Sequence, residues 1–224
     1  MIAVIIQARI ASTRLPGKVM MDINGKPMLL RLIERLKSCG LDIVIATSTD
    51  PSNEPLFELA KEHKFPIFAV DNENDVLNRY YQVASKLKLN TIVRITSDCP
   101  LIDPKVLTHV IQVYTINHCN YCSNVIERTY PDGLDCEVFS FKALEKVWKE
   151  AKDPYDREHV TPYILRNPDK FKLLSVENET DLSHLRWTVD TAEDLKFARW
   201  VYGKLGDNFY MEDVLKLGGR WKLK

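Results

Sequence analysis

Through the first half of the chain, short apolar runs without internal polar alternation are separated by stretches with helical periodicity, and this constrains the fold more than any other feature. "IAVIIQ" (2–7), "LDIVIA" (41–46), "PIFAV" (66–70) and "TIVRIT" (91–96) read as strands buried on both faces. Between them, 27–39 places Leu29, Leu32, Ile33 and Leu36 on one helical face, further helices are expected near 53–64 and 74–88, and Asp103 caps a helix that opens at Pro104. Strand–helix–strand repetition of this kind closes into a parallel sheet wrapped by helices. After residue 119 the rhythm changes: "YCSNVIE", "DCEVFS" and "FKLLSVE" read as strands, with helices at 141–151, about 156–166 and 191–203. No linker or repeat divides the chain. The expectation is one α/β domain over 1–224, three layers around a mostly parallel mixed sheet, with a βα half (1–118) and an elaborated second half (119–224).

An open parallel sheet binds ligands beyond the carboxyl ends of its strands. After the first strand comes "ARIASTRLPGK", in which Arg9, Arg14 and Lys18 stand without an acidic residue. The loop lacks the glycines of a Walker phosphate loop, so side-chain charge must hold an anion there. Two guanidinium forks and an ammonium suit a di- or triphosphate, with Ser12 or Thr13 adding a hydroxyl; the alternative is a solvated basic loop. Because 31 basic residues balance 31 acidic ones, no overall field draws in nucleic acid or an anionic membrane. No signal peptide is read at the N-terminus and no apolar run reaches membrane-spanning length, so a cytoplasmic protein is expected. Five cysteines in a chain of this size fit a reducing compartment, and Cys119 and Cys122 are expected to be strand-core residues.

Two carboxylates stand at further strand ends. Asp98, after "VRIT", is either a ligand for a hard cation or a turn residue before Pro100. Asp190, after "RWTV", is either a second ligand or a helix cap paired with Glu193, unless Thr191 takes the cap.

Together, "AVIIQARIASTRLPGKVMMDINGKPML", "DVLNRYYQVA", "RITSDCPLIDP", "YPDGLDCEVFSFKALEKVW", "REHVTPYI" and "RWTVDTAEDL" resemble the spore-coat-polysaccharide group of the cytidylyltransferase family, with the CMP-octulosonate and CMP-acylneuraminate synthetases as more distant relatives. The resemblance implies a nucleotide-diphospho-sugar transferase (Rossmann-like) fold, CTP as donor, Mg²⁺ as cofactor and a small acidic or phosphorylated acceptor, in surface polysaccharide synthesis, with a second copy of the chain as a further candidate partner. It places Ala8, Arg9, Ser12, Arg14, Lys18 and Ser97 about the nucleotide, gives Arg14, Lys18 and Asp98 catalytic roles, and makes Asp98 and Asp190 the metal ligands. The octulosonate enzymes carry Gln-Gly-Asp where this chain has Thr96-Ser97-Asp98, so the resemblance does not extend to an octulosonate acceptor. Arg79, Asp135, Glu137, Arg157 and His159 are expected on the acceptor side. A nucleotide-sugar-dependent glycosyltransferase is the alternative enzyme, but "VRIT" is not followed by an Asp-x-Asp motif. A non-catalytic nucleotide-binding relative is the third possibility, against which the presence of Lys18, Asp98 and Asp190 argues.

Overall fold

The computed structural model describes residues 1–218; the remainder of the expected 1–224 domain lies outside the described residues. The four apolar runs form β1 (Ile2–Gln7), β4 (Asp42–Ser48), β5 (Ile67–Val70) and β6 (Thr91–Thr96), with a small hairpin, β2 (Asp22–Ile23) and β3 (Lys26–Pro27), between the first two. β7 (Tyr121–Ser123), β8 (Glu137–Ser140) and β9 (Leu173–Ser175) extend the same sheet, whose order is β5-β4-β1-β6-β8-β7-β9. β8 alone runs against its neighbours β6 and β7; the other pairings are parallel, as expected of a mostly parallel sheet.

The strands are apolar on both sides because helices cover both. Val4 and Ile6 of β1 point into a core shared with α1 (Met28–Lys37), α2 (Glu54–His63), α4 (Pro104–Asn117), α8 (Ala192–Leu205) and α9 (Met211–Lys216). Ala3 and Ile5 point into the opposite core, with α3 (Val76–Lys86), α5 (Phe141–Glu150) and α7 (Pro162–Leu165), while α6 (Pro154–His159) lies against α3. Leu29, Leu32, Ile33 and Leu36 are fully buried, and Asp103 caps α4 by accepting from Lys105 and Val106 N–H. All five cysteines are free thiols; Cys122 lies within β7 and Cys119 is buried just before it.

Three segments differ from expectation. "YCSNVIE" stops pairing at Ser123 because side chains replace the ladder: Asn124 donates to Leu134 C=O and accepts from Cys136 N–H, while Ser123 Oγ donates to Cys136 C=O. The helix expected near 156–166 is two helices, broken where Val160 adopts φ 74°, ψ −55° and Thr161 N–H donates to His159 C=O, a γ-turn. "RWTV" is an extended segment with a single bridge, Arg186 to Asp132, rather than a strand. It is fastened by Trp187 N–H to Asp132 C=O (2.6 Å) and Val189 N–H to Asp98 C=O (2.8 Å). Gly133, at φ +107°, makes that fastening possible, since a Cβ there would lie 2.6 Å from Thr188 N.

Candidate active site

At the carboxyl ends of β1 and β6 lies a crevice of about 310 Å³. The basic loop forms one wall: its start is held by Ala8 N–H donating to Ala46 C=O and Ile10 N–H to the buried Asn53 side chain, and its end by Gly17 N–H donating back to Ile10 C=O. Gly17, at φ +70°, reverses the chain so that Lys18 turns inward. Ala8, Arg9, Ser12, Arg14, Lys18, Ser97, Asp98 and Asp190 all border this space, so the residues expected at the nucleotide and metal come together.

Lys18 does not present a free ammonium. Its Nζ donates to Asp98 Oδ2 (3.0 Å), Asp190 Oδ1 (2.8 Å) and Val189 C=O (2.9 Å). Burial alone would lower its pKa, but the two carboxylates outweigh that and raise it. At Asp98 burial pushes the pKa up, and Lys18 together with hydrogen bonding from Thr96 more than reverses it, so the carboxyl is held below its ordinary value. Asp190, with its side chain 12% exposed, also takes Arg14 on Oδ1 (2.9 Å) and Arg186 on Oδ2 (2.6 Å). Thr191, not Asp190, caps α8, in a capping box with Asp194; Asp194 also accepts from Arg186 at 2.7 Å. Asp190 is therefore not a cap.

Asp98 and Asp190 converge so closely that one ammonium touches both, and hard carboxylate oxygens of this kind suit Mg²⁺. Among the described residues no cluster of three or more acidic, histidine or cysteine side chains could hold a metal. A magnesium ion here would have two protein carboxylates and would depend on water and phosphate oxygens for the rest, which is the usual pattern for that ion.

Three of the lining residues carry polar atoms that are closed off from solvent and make no hydrogen bond among the described residues: Gln7 Oε1, Arg79 Nε and Arg94 Nε. Among the described residues the Arg79 side chain, 1% exposed, donates only to Glu73 C=O and is not paired with Asp75, which caps α3 and binds Arg157 at 2.6 Å. Burial lowers the Arg79 pKa. Arg94 pairs with Glu137, whose other oxygen accepts from Tyr121 OH at 2.7 Å.

Of the residues expected on the acceptor side, Arg79 and His159 border the crevice, and Asp135, Glu137 and Arg157 do not. The reason is the same in each case: a partner elsewhere has taken the charged group. Arg128 holds Asp135 through two 2.7 Å bonds, Arg94 and Tyr121 occupy both oxygens of Glu137, and Asp75 takes Arg157. Sequence reasoning passed over Gln7, Arg94, Glu158 and Arg186. Arg94 carried a usable signal, a charge inside a strand apolar on both faces; Glu158, 3.8 Å from Arg9, carried none.

Comparison with known proteins agrees with this geometry. The chain is 39% identical over 216 residues to an uncharacterised protein of Methanocaldococcus jannaschii, covering 94% of this chain and 85% of the relative. It is 31% identical over 216 residues to the spore coat polysaccharide biosynthesis protein SpsF of Bacillus subtilis, covering 91% and 87%. A solved cytidylyltransferase of Leptospira borgpetersenii superposes with a TM-score of 0.93 at 32% identity, covering 100% of this chain and 97% of that one. The cytidylyltransferase family model matches residues 3–201, which include the basic loop, Asp98 and Asp190. A sheet of nucleotidyltransferase type, a cation-walled crevice at its carboxyl edge and a family match across nearly the whole chain lead to one conclusion: the chain belongs to the cytidylyltransferase family and is a nucleotidyltransferase.

Proposed function

We propose that the protein transfers the cytidylyl group of CTP to a small anionic acceptor and releases pyrophosphate, with Mg²⁺ as cofactor, in the synthesis of a surface polysaccharide. The observation that carries this reading is the crevice itself, where a loop of three cations faces two carboxylates that share one cation. Arg9 and Arg14 sit where they can neutralise the phosphates, and Ser12 adds a hydroxyl donor. A divalent ion held by Asp98 and Asp190 would supply further charge neutralisation at the phosphates. An acceptor oxygen forms the new bond to the α-phosphorus as the bond to pyrophosphate breaks, so the residues contribute positioning and electrostatics without a covalent intermediate.

Arg79 and His159 border the same crevice and are left for the acceptor.

Thermal denaturation tests the donor. CTP with Mg²⁺ raises the melting temperature more than equal concentrations of ATP or GTP, because a ligand that binds only the folded state stabilises it by mass action. Equal shifts for all three nucleotides refute the CTP reading. Pyrophosphate release from CTP against a panel of sugar acids and phosphorylated sugars then identifies the acceptor.

A further inference from the structure

The shared cation point between Asp98 and Asp190 is occupied by the protein itself. All three protons of the Lys18 ammonium are engaged, by Asp98 Oδ2, Asp190 Oδ1 and Val189 C=O, and both oxygens of Asp190 already face cations. A divalent ion placed between the carboxylates would meet the ammonium at contact distance, so the two cannot share the position. Lys18 in turn leaves only by giving up both carboxylates and stripping them of their shared cation, a cost that another anion accepting from it would offset. The space beside it, walled by Ser12, Thr13 and Arg14, is where the triphosphate is placed above.

We infer that Lys18 keeps the metal position closed in the nucleotide-free protein, and that a polyphosphate opens it by taking over the Lys18 ammonium. Metal and nucleotide then bind with positive coupling, and by linkage each strengthens the other equally. The inference rests on the reading that Asp98 and Asp190 are the metal ligands, and adds that they are not a ready-made metal site.

The test is Mn²⁺ binding without nucleotide, followed by loss of the free-ion electron paramagnetic resonance signal. The wild-type protein shows no stoichiometric site, whereas Lys18→Met gains one Mn²⁺ site at least ~10-fold tighter, within the usual range of coupling. Adding Asp98→Asn to Lys18→Met abolishes the gained site. Lys18→Ala, which leaves the position between the carboxylates empty, provides a second variant should methionine prevent folding. Wild type binding Mn²⁺ as tightly as a folded Lys18 variant overturns the inference, as does a folded variant that gains no site. The titration contains no nucleotide, so a wrong assignment of CTP leaves it unchanged and shows only in the melting experiment.

Discussion

Gly133→Ala isolates the contact that sets Asp190 beside Asp98. The new Cβ would lie 2.6 Å from Thr188 N and 2.7 Å from Trp187 C, both backbone atoms that cannot rotate away. Ordinary contact between such atoms begins at about 3.5 Å, so the segment must retreat by close to an ångström. Overpacking of this kind costs roughly 1–3 kcal/mol. Holding a non-glycine residue at φ +107° adds roughly 1–3 kcal/mol more. For a chain of this length each kcal/mol lowers the melting temperature by about 2–4 °C, so a fall of roughly 5–20 °C is expected. The retreating segment carries Asp190, and a displacement of that size lowers kcat by up to ~100-fold. Circular dichroism melts and pyrophosphate release measure the two effects. Gly40→Ala is the control, because Gly40 also has positive φ (+68°) but a Cβ there meets nothing within 4 Å; it should lose a little stability and no turnover. A Gly133→Ala protein that melts within a degree of wild type at full activity would refute the clamping argument.

Asp98→Asn and Asp190→Asn should each abolish most turnover, and the double variant should lose little more, because groups acting as one unit are not additive. Asp190→Asn should also lower stability by ~1.5–3 kcal/mol in urea titrations, since Lys18, Arg14 and Arg186 all lose a charged partner. Arg14→Ala, at a side chain 66% exposed, should weaken nucleotide binding in calorimetry with the melting temperature nearly unchanged. At Asp194 burial pushes the pKa up, but Arg186 and the backbone N–H groups of Asp190 and Thr191 more than reverse it. Its contribution is therefore complete above the ordinary carboxylate value and lost as pH falls through the lower folded value, so Asp194→Asn should flatten the acid limb of stability against pH.

The parallel half of the fold was legible because each element there announces itself locally. β1, β4, β5 and β6 are continuous apolar runs, and Asp103 before Pro104 is a complete capping signal. The second half was harder because its backbone is held by distant side chains. "YCSNVIE" has strand composition, yet Asn124 takes over the pairing with Leu134 and Cys136. "DTAED" allows either of two caps, and only the structure shows that Thr191 with Asp194 forms the box. Lys18, Asp98 and Asp190 were identifiable from the strand-end rule with the family resemblance, but not the bonds among them. Arg94 with Glu137 and Asp75 with Arg157 join residues 43 and 82 positions apart, and no local pattern encodes such pairings.

Lys18 and Asp190 stand 172 residues apart in the chain, and that separation bears on how the protein is made. At about 5–20 residues per second, a ribosome needs roughly ten to thirty-five seconds to travel from one to the other. During that interval β1, β4 and β6 can begin to pair while the basic loop has no second carboxylate to receive it. A nascent chain that stops short of Val189 has the crevice wall and Asp98 but neither the carbonyl nor the carboxylate that complete the Lys18 contacts. With Asp190 as the proposed metal ligand, the chain is inert for most of its own synthesis, and turnover is expected only once the segment from Arg186 to Asp190 closes onto the Asp132–Gly133 turn.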